Sequence, residues 1–276
     1  MSRVSSVVLG AFVAVLATTA GCKVSVETKT RYTEANYVVS DSQDWNGEAI
    51  DIRIEGVGAA VNGGVKVTSD PLTTKINANA RLLAMAFSDH KSDADLSIAD
   101  IKNGFKITHP DANTISLVCP HGGSHGDSNS GESGCELINI VVPAGTAEKP
   151  LKIKVLSGNG GMTLQLSNAY LGSLDANSAG ADSSINSDLP ATQGGTISLV
   201  SNEGDDVTAN LPASFAADRI ELVADADKVV LGSFTDITKF DGTTGRGTAG
   251  TGLASLKLVS KSFAGSSGQV NLQSVQ

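Results

Sequence analysis

The sequence predicts an all-β body, an irregular single-stranded β-solenoid with one short helix, and three observations lead there. Short alternating apolar segments recur between clusters of Gly, Asn, Asp and Ser, the pattern of half-buried strands and turns. Thirty glycines against 4% aromatic residues leave little with which to fill a sandwich or barrel of large rings. Residues 154–164, residues 199–208, and residues 258–260 with 268–272 share a loose repeat in which a strand reaches Ser, turns through Gly and re-enters a strand. Such units bury a thin continuous core by stacking on one another. The spacing between copies is irregular, which predicts insertions between coils.

Alternation is strict in residues 50–54, 65–67 and 151–155. It recurs in residues 162–166, 197–200, 229–231, 256–259 and 270–272. One segment departs from it. Ser88, Asp89, Ser92 and Asp93 supply helix-start residues, followed by Ala94, Leu96, Ile98 and Ile101 before the stop signal Asn103-Gly104. This predicts a helix over residues 89–102. Residues 22–47 are polar and charged and read as a tether, with a short edge strand around residues 36–40, so the solenoid body is expected over residues 48–276. The lone Trp45, beside Gly47, is placed to cover the open end of the first coil.

Residues 1–21 form a positive start, an apolar run over residues 7–17 and a small-residue exit, the layout of a signal peptide. The run falls short of the roughly 20 apolar residues that span a bilayer. Ala20-Gly21-Cys22 resembles the lipobox of bacterial lipoproteins, with Thr19 where that family usually carries Leu. The resemblance implies lipidation of Cys22, and Lys23 rather than Asp after it resembles outer-membrane cargo, facing the periplasm or the cell surface. The alternative is an ordinary secretory signal cut near Ala20. With Cys22 acylated, the three cysteines resolve into one anchor and one pair, Cys119 and Cys135.

Formal charge is -9, and residues 1–21 hold Arg3 and no acid, so the exported chain stands near -10. Such a body is repelled by nucleic acid and by anionic headgroups, which leaves acyl chains rather than a basic patch as the membrane anchor.

Later in the chain stand Val142-Pro143-Ala144-Gly145-Thr146, the Ser-Gly turns of residues 157–163 and 201–208, and Asn210-Leu211-Pro212-Ala213-Ser214-Phe215. Together, from about residue 141 onward, these resemble the putative adhesin family of exported bacterial proteins. Gly161-Met162 replaces the usual Asp-Val of the first turn, and residues 261–267 break the third copy. The resemblance implies a surface or periplasmic β-solenoid with an adhesive or scaffolding role, and it brings no catalytic residues.

Cys119, His121, His125 and Cys135 could hold zinc, but their spacing matches no common zinc pattern. A disulfide closing a hairpin between residues 115–118 and 137–142 is the better reading, and its loop-entropy contribution is about 3 kcal/mol. His90 and His109 stand alone in the sequence. Asp93/Asp95, Asp205/Asp206 and Asp225/Asp227 could suggest calcium, yet none lies in a calcium-binding β-roll repeat, so solvated turn acids are favoured. No Gly-x-Ser-x-Gly or His-Glu-x-x-His motif is present, and Gly56-Val57-Gly58 and Gly158-Asn159-Gly160 lack the helix a nucleotide site requires. The expectation is a non-catalytic, lipid-anchored envelope protein without cofactor or metal. Ladders of Thr, Ser, Asn and Asp on its strands would make weak, repeated contacts with glycans or envelope proteins. A structural envelope component and a polysaccharide-active β-helix enzyme are the alternatives.

Overall fold

A strand that alternates apolar and polar side chains has one face to bury, and here the chain solves this by sending successive strands to two facing sheets. The computed structural model describes residues 29–55, 64–119, 125–130, 133–158, 160–180, 183–191, 195–225, 228–232, 239–241, 246–248 and 254–275. The signal peptide, Cys22, His121, Gly56-Val57-Gly58, Asn159 and Asp227 lie outside the described residues.

The elements in chain order are β1 (Thr30–Asp44), β2 (Ile50–Glu55), β3 (Val65–Asp70), β4 (Lys75–Ser88), α1 (Lys91–Gly104), β5 (Lys106–Asp111), β6 (Thr114–Val118) and β7 (Asn129–Ser130). They continue with β8 (Gly134–Pro143), β9 (Leu151–Ser157), β10 (Met162–Gln165), β11 (Leu171–Ser178), β12 (Ile185–Asp188), β13 (Gly195–Ser201) and β14 (Val207–Pro212). The last are β15 (Ala217–Val223), β16 (Val229–Leu231), β17 (Lys239–Asp241), β18 (Arg246–Thr248), β19 (Ala254–Ser260) and β20 (Val270–Val275). The protein is thus all-β with one helix, in two ten-stranded sheets that do not close on themselves.

The first sheet runs β1-β4-β8-β3-β10-β12-β14-β20-β16, with β7 added on β4, and the second runs β17-β18-β15-β19-β13-β11-β9-β2-β6-β5. From β9 to β16 the chain crosses between sheets at every strand, and interior strands pair in parallel. Equivalent positions recur every 21 to 23 residues, as in Ile153, Leu174, Ile197 in one sheet and Met162, Ile185, Val207 in the other. The alternation of strands between the sheets is therefore regular where the sequence reads as irregular, and the irregularity lies in neighbour order. β19 lies between β13 and β15, and β20 between β14 and β16. At the other end β2 lies between β6 and β9, and β3 between β8 and β10.

Parallel register stacks like on like. Ile115, Ile52, Val155, Ala176, Leu199, Leu258 and Leu222 form one buried ladder across the second sheet. One step along, the same strands place Ser157, Ser178, Ser201 and Ser260 in a second buried ladder, where the chain turns toward the first sheet. Gly195 takes φ +116, and a Cβ there would collide with the Gly172 carbonyl of the coil beside it, so this return is restricted to glycine.

Three expectations need correction. Residues 30–44 are not tether: β1 pairs antiparallel with β4 along its whole length, and Tyr32, Tyr37 and Val39 pack on the core. A register shift between Glu34 and Tyr37 interrupts the alternation, which hid all but the centre of the strand. Secondly, α1 begins two residues later than expected. The Asp89 N–H donates to Asp127 Oδ2 (2.9 Å) and the His90 N–H to Ser88 Oγ (3.0 Å), which hold the chain extended until Lys91. Finally, Cys119 and Cys135 are disulfide-bonded with Cα atoms 5.7 Å apart, but not across a hairpin. β6 belongs to the second sheet and β8 to the first, so the bond ties the two sheets together.

Candidate binding faces

Each coil strand points alternate residues outward, and in-register pairing lines these up in rows across the sheet. On the first sheet one row reads Ser40, Asn79, Asn139, Lys66, Thr163, Asn186, Thr208 and Asn271, one residue from each of eight neighbouring strands. With strands roughly 4.8 Å apart the row is about 34 Å long. A second row beside it contains Thr68, Gln165, Asp188, Asn210 and Gln273. Asn210 donates to Asp188 Oδ1 (2.8 Å) and Asn79 to Ser40 Oγ (2.9 Å), which holds the amides in the plane of the face. Hydroxyls and carboxamides both donate and accept, and the longer row carries one charge, Lys66. Its chemistry suits a neutral, hydroxyl-bearing ligand.

The outer face of the second sheet is charged and largely self-paired. Asp51, Lys154, Asp175, Ser198, Lys257 and Glu221 form its central row. Arg53 bonds Asp51 (2.7 Å), while Arg219 (2.7 Å) and Lys257 (3.6 Å) both meet Glu221. Arg53–Asp51 and Arg219–Glu221 each lie within one strand and only Lys257–Glu221 crosses strands, and exposed pairs of this kind add little stability. At the strand ends a groove of about 430 Å³ opens over Leu156 and Ala179, walled by Arg53, Glu55, Asn177 and Asn202. Another cavity, of about 380 Å³, lies between β1 and α1, and its charges are also paired: Lys91 with Asp95 (2.5 Å) and Lys102 with Glu34 (2.8 Å).

Neither family models nor curated proteins match this chain. A crystal structure of a "putative cell adhesion protein" from Clostridium sporogenes is similar to it, at 12% identity over 86% of this chain and all of that one, with a TM-score of 0.47.

The histidines that stand alone in sequence acquire partners in the fold. His109 Nε2 lies 2.7 Å from Asp41, joining the edge strand of one sheet to that of the other, and His125 Nε2 lies 2.5 Å from Asp100 on α1. Asp41 is held below the usual carboxylate range, first by the Ser42 N–H and then by His109. Asp111 is lowered by the Asn113 N–H and the Thr114 hydroxyl, and Asp127 by the Ser88 hydroxyl and the Asp89 N–H.

Asp205, Asp206 and Asp225 serve the turns, whereas Asp93 and Asp95 stand on α1. Asp205 accepts the Ser183 N–H (2.6 Å), Asp206 the Gln269 N–H (2.7 Å) and Asp225 the Ser267 N–H (2.8 Å), each from a neighbouring coil. Among the described residues no three His, Cys, Asp or Glu side chains converge as a metal site would require. Trp45 packs on the core at the end of β1, its Nε1 donating to the Glu48 carbonyl (2.7 Å). The longer row itself is only partly visible in the sequence. Thr163, Asn186 and Thr208 follow from coil alternation, whereas Ser40, Asn79 and Asn139 join it through antiparallel pairings that no local pattern specifies.

Proposed function

We propose that this chain is an exported, lipid-anchored, non-catalytic β-solenoid that binds hydroxyl-rich polymers of the cell envelope or cell surface through the outer face of its first sheet. One observation carries the reading: an eight-strand row, seven of whose members are hydroxyl or amide side chains and the eighth Lys66, repeating at a constant interval. A row of this kind gives weak contacts that add along a polymer, as multivalent attachment requires. The acidic body, by the same argument, avoids polyanions. The lipobox-like Ala20-Gly21-Cys22 supports an acyl anchor at Cys22, Lys23 rather than Asp after it supports the outer membrane, and the disulfide supports an oxidising compartment.

A glycan array probed with the chain lacking residues 1–22 tests the binding claim, since that truncation removes none of the described residues. Neutral polysaccharides are expected to bind, and the double variant Asn186→Leu/Thr208→Val should weaken the signal about tenfold or more by removing two central members of the row. An array without binding, or binding indifferent to that variant, overturns the reading. Mass spectrometry of the exported protein checks the anchor separately through a diacylglycerol adduct at Cys22.

A further inference from the structure

Leu156 points to the outer face of the second sheet, where β9 otherwise carries Lys152 and Lys154. Parallel pairing sets it directly between Arg53 and Asn177, so a guanidinium, an aliphatic chain and a carboxamide stand side by side on three neighbouring strands. The groove of about 430 Å³ opens over this row, with Leu156 and Ala179 as an apolar floor. That volume lies among those of small-ligand sites, about 300–1,000 Å³, which combine apolar area with a few fixed polar groups.

The walls keep hydrogen-bonding capacity to spare. Arg53 uses Nε (3.0 Å) and Nη2 (2.7 Å) on one oxygen of Asp51, which leaves the rest of its five donors. Glu55 accepts the Ser116 hydroxyl through Oε1 (3.2 Å), and its Oε2 has no partner among the described residues. Asn177 donates through Nδ2 to Asp175 (2.7 Å), and its Oδ1 is likewise unpartnered among them. Asn202, by contrast, is pinned at both ends: its Nδ2 donates to the Ser178 carbonyl (3.0 Å), and its Oδ1 accepts from Lys261 Nζ (2.6 Å).

We propose that this groove is a second binding site, for one short neutral saccharide. Its floor takes the C–H face of a sugar ring. Each sugar hydroxyl both donates and accepts, so adjacent hydroxyls can accept from Arg53 and donate to Glu55 Oε2 and Asn177 Oδ1. A carboxylate or phosphate finds no unmatched cation among the lining residues, because the Arg53 charge already faces Asp51. Strand pairing fixes the spacing of the row and Asn202 is held in place, so binding orders few side chains. The site shares a ligand class with the adhesive reading but none of its residues, so either can fail without the other.

The test is a titration of residues 23–276 with the methyl glycosides of glucose, galactose, mannose and N-acetylglucosamine, followed through backbone amide shifts by NMR. At least one glycoside is expected to move the amides of Arg53, Glu55, Leu156, Asn177 and Ala179. Glu55→Ala and Asn177→Val should each weaken that binding about tenfold or more. Ala179→Leu, which fills the floor without touching a charge, should abolish it. The double variant Asn186→Leu/Thr208→Val on the first sheet should leave it unchanged, which separates this site from the polymer face. Glycine and inorganic phosphate serve as charged probes, and neither is expected to shift these amides. The proposal is overturned if no glycoside binds, if a charged probe binds in their place, or if glycoside shifts lie outside the groove or survive all three groove variants.

Discussion

Ser157, Ser178, Ser201 and Ser260 occupy the step of the core ladder where an aliphatic residue would continue the pattern, and each is buried. Polar backbone is turning there, and hydroxyls are the groups that satisfy it. The Ser178 hydroxyl donates to the Gly160 carbonyl (2.9 Å), Ser201 accepts the Asp205 N–H (3.0 Å) and Ser260 the Gly268 N–H (2.9 Å). Ser201→Ala should cost about 1–2 kcal/mol, read as a lower urea midpoint at unchanged slope, because it removes the acceptor of the half-buried Asp205 N–H. Ser157, Ser201 and Ser260 were legible in the sequence as repeated Ser-Gly turns, since the residue type and the sharp return share one cause, whereas Ser178 lies outside the repeats the sequence shows. Acid behaviour also belongs to single residues. Asp41, Asp111 and Asp127 titrate below the unfolded value, so their stabilisation is present above the ordinary aspartate range and lost as pH falls through the depressed folded values. Urea midpoints should hold from neutral pH to about 5 and fall below about 4. Asp127→Asn should flatten that fall, and an unchanged acid slope would refute the assignment.

At the scale of elements, the N-terminal end is where sequence and structure diverge most. β4 was not legible because Ala78, Ala80, Ala84 and Ala86 supply its core-facing side, and alanine gives little alternation signal. The helix was legible, since Ala94, Ile98 and Ile101 recur at helical spacing and are buried. β1 completes this end: Tyr37 meets the Phe105 ring edge-on at 6.3 Å, and Lys102 sits 4.8 Å over the Tyr37 ring. The disulfide closes the same end from the other side, spanning 16 residues between sheets. Cys119→Ser should cost about 3 kcal/mol in urea denaturation, and a reductant should lower the parent protein to the same level while leaving the variant unmoved. Equal sensitivity of both proteins to reductant would show that the bond contributes nothing. The pairing was legible from cysteine arithmetic, but its cross-sheet geometry was not, because the sheet to which each strand goes is a long-range choice.

For the whole molecule, an all-β body of short alternating strands was legible, but its division into two sheets and the order of strands within them were not. Leu256 fits between Ile197 and Ile220 because the three present the same aliphatic face at the same height, so no local pattern says which neighbour a strand takes. Such interchangeability has a further use. Removing residues 162–184 joins Gly161 to Ile185 and brings Ile185 to the place Met162 holds beside Val65. The shortened chain should fold with a cooperative urea transition and an intact disulfide, and a molten or protease-sensitive product would count against interchangeable coils. A gene could lengthen or shorten this protein in steps of some two dozen codons while keeping the aliphatic ladders in register. The breadth of the two sheets is then a quantity that duplication and deletion tune directly, like the number of rungs on a ladder.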